Sequence, residues 1–330
     1  MISRIVHKVQ RTWRKALYLG RMEGLLYSRK KQGDIIVMYH NVDQEGNTNY
    51  NLRFHSRADF LIHARYFQRE FTVVSLREML EVPNPGVRRL AITFDDGLAN
   101  NLKHAAVILR HFSLPATFFV TAAGMNNQSY LWPDAVNILT HHWNKPVTFN
   151  DVRFIPGPWN RYRSDHGEWL MNALKHAPSD QRNVFIDRLE SRVGKSVSEL
   201  AHEDHYRILS QEEIRLLAAY PLFEIGSHAV SHSNLATLNA DSQFAELHDS
   251  KKWIEEVIGK SVESIAFPDG SYTRETVSIA EQVGYRHQCA VNYLYHEDET
   301  DNRIINRLGL YNDRSAIEQL HQLNQRFHAK

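Results

Sequence analysis

The chain has 330 residues, 42% hydrophobic and 23% charged, with a formal net charge of +1. It is long enough for one large α/β domain with a sizeable core. Its single cysteine, Cys289, excludes an intramolecular disulfide and a cysteine-built zinc site, and no apolar run is long enough to span a bilayer.

The charge is unevenly spread. Residues 1–33 carry nine Lys or Arg against one acid, Glu23, a balance of +8, while the remainder stands at −7. Within this segment Ile2, Ile5, Val6, Val9, Trp13, Ala16, Leu17 and Leu25 recur at helical spacing between basic residues. This predicts a basic amphipathic helix, lying on an anionic membrane surface or packed on its own domain, or else a solvated basic tail. No short apolar stretch precedes a small-residue cleavage site, so a secretory signal is not expected. The expectation is a cytoplasmic protein with peripheral contact at the inner membrane face through residues 1–30. Nucleic acid is a poor fit, since the basic patch is small and no nucleic-acid-binding motif is present.

From residue 34 to 330 strands and helices alternate. The predicted strands are 35–39, 72–74, 90–94, 116–120, 222–225, 264–267, 287–291 and 304–310. The predicted helices are 58–69, 101–112, 212–219, 241–258 and 274–283. Apolar strands alternating with helices argue for a parallel barrel, in which chemistry gathers at the C-terminal strand ends. The stretch of about 125–206 breaks the pattern as a polar insertion holding Trp132, Trp143, Trp159 and Trp169. Leu131-Trp132-Pro133-Asp134 reads as a helix start. The tryptophans suit either the insertion's own small core or sugar stacking. Cys289, inside an apolar strand, reads as a buried small hydrophobe.

Two clusters carry chemistry. The strand 90–94 ends in Thr93-Phe94-Asp95-Asp96-Gly97, two adjacent carboxylates that must be hydrated, paired or bound to a cation. A strand sends neighbouring side chains to opposite faces, so a turn, which Gly97 permits, is needed if both are to serve one site. An Asp-rich turn before a helix suits the same residues. The second cluster is Gly226-Ser227-His228-Ala229-Val230-Ser231-His232, after another apolar strand. Two His four apart can chelate one ion, and with one Asp they leave a position open for water, the layout of a hydrolytic metal site.

These motifs, in this order, resemble the polysaccharide deacetylases of the NodB-homology type (carbohydrate esterase family four), over residues 34–312. The resemblance implies a distorted (β/α) barrel of seven strands. It implies Asp95 as general base and Asp96, His228 and His232 as ligands of a divalent metal, in keeping with Zn2+. Ala229 departs from the usual Ser or Thr that braces the metal loop. The third motif, normally Arg-x-Pro-aromatic-Gly, stands here as Ala266-Phe267-Pro268-Asp269-Gly270. The backbone N–H of Asp269 would serve the oxyanion, with the ionised side chain turned away, and Arg307 on a late strand is the candidate for the missing Arg. The acid His expected at the C-terminus is absent. Instead Ile35-Ile36-Val37-Met38-Tyr39-His40 ends in one, as in the circularly permuted poly-N-acetylglucosamine deacetylases, which makes His40 the candidate general acid, with an ordinary pKa near working pH. The implied activity is metal-dependent de-N-acetylation of a sugar in a polysaccharide, oligosaccharide or glycolipid, with release of acetate. Two other readings stay open: an amidohydrolase or deformylase acting on a lipid-linked sugar, and a non-catalytic glycan-binding barrel.

Overall fold

A computed structural model describes residues 32–328, so the basic segment read over 1–33 lies, up to residue 31, outside the described residues. Strand β1 (Gly33–Tyr39) leads to two short strands, β2 (Asn41–Asp43) and β3 (Phe54–Ser56), then helix α1 (Arg57–Glu70). Ser56 caps α1 by accepting the Asp59 N–H at 3.0 Å, and Phe60, Ala64 and Phe67 recur at helical spacing on its buried face. Strand β4 (Thr72–Val73), helix α2 (Leu76–Glu81) and strand β5 (Arg88–Phe94) follow. The helix expected over 101–112 opens with a wider π turn at Asn101–Ala105 before α3 (Ala106–His111). Strand β6 (Ala116–Val120) then ends the first half of the sheet.

The insertion folds around a second core of its own. It contains α4 (Trp132–Trp143), the antiparallel strands β7 (Val147–Phe149), β8 (Val152–Pro156) and β9 (Tyr162–Ser164), and helices α5 (Leu170–Lys175), α6 (Ser179–Val193) and α7 (Val197–Leu200). Trp132 and Trp143 pack in or against that core, whereas Trp159 and Trp169 stay exposed. Trp132 and Trp143 thus belong to the insertion's own small core.

The barrel resumes with α8 (Gln211–Ala219), β10 (Phe223–Ser227), α9 (Ala240–Ile258), β11 (Ser264–Ala266), α10 (Arg274–Val283) and β12 (His287–Cys289). Asn239 caps the start of α9, and Gly259, at φ +66°, ends it. The strand expected over 304–310 is split into β13 (Ile304–Ile305) and β14 (Leu308–Gly309), and α11 (Ala316–His328) closes the described chain. The sheet order is β13-β12-β11-β10-β6-β5-β1-β14, parallel throughout, with β4 added beside β5. β13 and β14 pair with opposite edges of this sheet, yet only Asn306 and Arg307 separate them. The split segment therefore joins both edges and closes a distorted barrel of seven strands. The break has a physical cause: one short run of backbone must serve two edges.

Strand alternation sends Val37, Tyr39, Leu90, Ile92, Phe94 and Phe118 into the main core with the helices. A smaller cluster holds Ile36, Ala91, Phe119, Ala266, Cys289 and Ile305, drawn from six different strands. β10 passes this layer at Gly226, where an added Cβ would sit 2.4 Å from the Phe119 ring. Cys289 is fully buried here, as expected of a small hydrophobe.

Candidate active and metal site

The C-terminal ends of the central strands lie level. Tyr39 pairs with Phe94, Phe94 with Phe118, Val120 with Ser227, and Ser227 with Ile265. The residues just beyond, His40, Asp95, His228 and Asp269, line one cavity of about 470 Å³ together with His232. The structure thus brings all five of these sequence-predicted residues to one cavity.

The Asp-Asp problem is solved by the turn. Asp95 remains in strand geometry, its N–H bonded to the Tyr39 carbonyl at 3.0 Å, while Asp96 (φ +72°) and Gly97 (φ +72°) are both left-handed. A Cβ on Gly97 would meet the Val120 Cα at 2.9 Å, so the turn requires glycine there. Ala229 (φ +60°), His232 (φ +54°) and Asp269 (φ +59°) share the left-handed backbone, which costs about 1–3 kcal/mol per residue and gathers at functional sites.

Asp96 Oδ1 lies 3.5 Å from His228 Nε2 and 3.3 Å from His232 Nε2. One ligand atom from each of the three residues falls within 4.8 Å of the others, and all three side chains are buried. His228 Nδ1 is 2.8 Å from the Ala266 carbonyl, which places a proton there and leaves Nε2 free as a lone-pair donor. Asp96 Oδ1 is buried without a hydrogen-bond partner. Burial alone would raise the Asp96 pKa, but Arg53 and the two His hold it well below the usual carboxylate range. For His232 burial works downward, and the Asp96 carboxylate outweighs it to raise the pKa. A buried carboxylate and two imidazoles aimed at one point, with an oxygen unsatisfied, form a donor set that fits a divalent cation.

Arg307 sits in the break between β13 and β14 and reaches Asp95 with both arms, Nη1 to Oδ1 and Nη2 to Oδ2, each at 2.7 Å. Its Nε donates to the Ala290 carbonyl at 3.1 Å, so the fork is held in place. Burial opposes ionisation of Asp95, and Arg307 with His228 overcomes it, keeping the pKa below the ordinary value. The arginine that pairs with Asp95 is therefore Arg307.

Two expectations need correction. His40 does not keep an ordinary pKa: burial, partly offset by Asp96, pushes it down to about 4, and it is neutral in the resting site. The Asp269 carboxylate does not turn away. It lines the cavity, with Oδ1 2.6 Å from Lys175 Nζ, and it can lie there because that cation comes from α5.

Sequence reasoning missed four residues. Glu246 on α9 accepts the Val230 and Ser231 N–H groups, each at 2.9 Å, and so ties down the loop whose usual brace Ala229 lacks. Lys175 pairs with Asp269. Arg53, just before β3, donates from Nη1 to Asp96 Oδ2 at 2.6 Å and from Nη2 to Asp134 Oδ1 at 2.5 Å. The helix start at Trp132-Pro133-Asp134 was visible, but its direction toward the site was not.

Comparison with known proteins adds to this geometry. The family profile described as polysaccharide deacetylase matches residues 83–153 and 173–287. YxkH of Bacillus subtilis (strain 168), a curated protein named for the same family, is 32% identical over 94 residues, 28% of this chain. That match spans 31% of YxkH's own length. Among solved structures, the Streptococcus pyogenes deacetylase PplD in complex with acetate has a TM-score of 0.56 at 17% identity, covering 88% of this chain and 98% of that one. IcaB from Ammonifex degensii has a TM-score of 0.54 at 15% identity, covering 90% and 98%. At these identities the likeness is one of fold.

Proposed function

Because the chain belongs to the polysaccharide deacetylase family, we propose that it is a hydrolase that removes the N-acetyl group from an N-acetylated sugar within a glycan or glycolipid. The observation that carries this reading is the convergence of Asp96, His228 and His232 beside an Asp95 already ion-paired to Arg307. The fold is shared with a deacetylase crystallised with acetate, the product expected here.

In this mechanism Asp96, His228 and His232 hold a divalent metal, in keeping with Zn2+. When bound, such an ion supplies Lewis-acid polarisation of the acyl oxygen and a more acidic water. Asp95, kept ionised by Arg307, accepts a proton from the attacking water. The Asp269 backbone N–H donates to the oxyanion, and Lys175 screens the Asp269 side chain from the developing charge. His40, neutral at rest, gains proton affinity as negative charge builds beside it, takes up the proton that Asp95 received from the water, and passes it to the departing amine. The water oxygen ends on acetate and the sugar keeps a free amine. Retention of both proton carriers favours catalysis over a non-catalytic glycan-binding role.

The test is acetate release from N-acetylglucosamine oligomers by purified protein, after chelation and after restoring Zn2+. Chelation should abolish release and Zn2+ should restore it. Asp95→Asn should keep its metal and lose at least about a hundredfold in turnover. Normal turnover in that variant would end the proposed base role.

A further inference from the structure

Among the described residues, Arg53 is the one cation that touches the proposed metal ligands, and a positive charge on Asp96 competes with any incoming ion. Its two arms divide between Asp96 Oδ2 and Asp134 Oδ1. Asp134 belongs to the first turn of α4, in the insertion, and its side chain is 1% exposed. Its other oxygen, Oδ2, is buried without a hydrogen-bond partner, so Arg53 is the contact that fixes this carboxylate. The same turn reaches the other half of the site, where Trp132 Nε1 donates to the His232 carbonyl at 3.0 Å.

We propose that Arg53 and Asp134 are positioning residues for the cation: Asp134 holds Arg53, Arg53 holds the outer oxygen of Asp96, and through them the insertion sets how tightly the site takes a metal. This rests on the metal reading above. Two effects follow from the geometry. Arg53 on Oδ2 leaves Oδ1 facing the two imidazoles, which orients the ligand. Asp134 also compensates Arg53. With three carboxylates (Asp95, Asp96, Asp134) against two guanidiniums (Arg53, Arg307), the site carries a net negative charge that favours a cation. Removing the charge of Asp134 makes the same site neutral and leaves Arg53 bearing on Asp96 alone. Partners that orient a metal ligand typically change affinity ten- to a hundredfold when lost. An acid in the first turn of a helix also steadies the helix dipole, but that role would leave metal affinity unmoved.

The experiment is titration of the metal-free protein with Co2+, followed by visible absorption, and with Zn2+ against a chromophoric chelator, for wild type, Asp134→Asn, Arg53→Met and the double variant. Asp134→Asn should bind about ten- to a hundredfold more weakly. In the Arg53→Met background the same change should cost clearly less, because only its direct charge effect remains once Asp134 can no longer act through Arg53. Wild-type affinity in Asp134→Asn, or an equal loss in both backgrounds, would overturn the proposal. If Asp134→Asn does not yield folded protein, Arg53→Lys carries the test: the two-armed fork is lost and affinity should fall, while unchanged affinity would overturn the proposal. A wild-type protein that takes up neither ion overturns the metal reading itself, and this inference with it.

Discussion

A single arginine decides whether Asp95 can act as a base. Burial pushes that carboxyl toward its neutral form, and the Arg307 fork, 2.7 Å away on both oxygens and aided by His228, reverses the balance. The pH sign follows. A depressed folded pKa gives Asp95 a stabilising contribution that is present above the ordinary carboxylate value and lost as pH falls through the folded one. Arg307→Met should raise the Asp95 pKa and move the acid limb of the kcat/KM profile to higher pH. It should also cost about 3–5 kcal/mol of stability by leaving a buried charge unpaired. The pH profile is the diagnostic measurement, since an acid limb left in place would separate Arg307 from the base. Asp95, Asp96, His228 and His232 were legible in the sequence because each pair is local, fixed by one turn or one loop. Arg53 was not: it lies 43 residues from the carboxylate it holds. No spacing rule links a pre-strand arginine to a distant turn.

Among elements, α1 is joined to the barrel and to α11 by one buried imidazole. His63 receives the Tyr39 hydroxyl at Nδ1, 2.7 Å away, and reaches the Ala316 carbonyl from Nε2 at 3.2 Å. Burial pushes its pKa down to about 3 from an ordinary 6.5. The folded state therefore holds His63 neutral while the unfolded chain protonates it. Its contribution is fully present above about pH 6.5 and is lost as pH falls from there toward 3, by on the order of several kcal/mol. His63→Gln should lower stability at pH 7 yet flatten the acid dependence, measured as urea midpoints across that window. Parallel curves for the two proteins would contradict this. Helices such as α1, α9 and α10 were readable because caps and 3.6-residue periodicity are encoded within them. The split of 304–310 was not, because it arises from pairing with both edges of a sheet, a long-range demand. The insertion was readable only as an interruption: its strands are three to five residues long and its core mixes aromatics with polar sequence.

At the scale of the whole molecule, the separation of charge outweighs the net value. The first 33 residues hold +8 and the remainder −7, so an anionic surface would attract one end of the chain and repel the rest. Each Lys or Arg near an anionic bilayer contributes about 1 kcal/mol, and that attraction decays within a Debye length of about 8–10 Å at physiological salt. None of the described helices is long and apolar enough to cross a membrane. The proposal is a peripheral protein at the inner membrane face, brought by residues 1–30 to glycans carried on lipid. Full-length protein should then sediment with phosphatidylserine vesicles at low salt and leave them at about 0.5 M salt, where the Debye length shrinks to a few ångström. A chain lacking residues 1–30 should stay in solution at both salt concentrations while releasing acetate from soluble oligomers at the full-length rate. Equal sedimentation of the two proteins would assign the membrane contact elsewhere. A shortened chain that failed on soluble oligomers would make the basic segment part of the catalytic fold rather than an address.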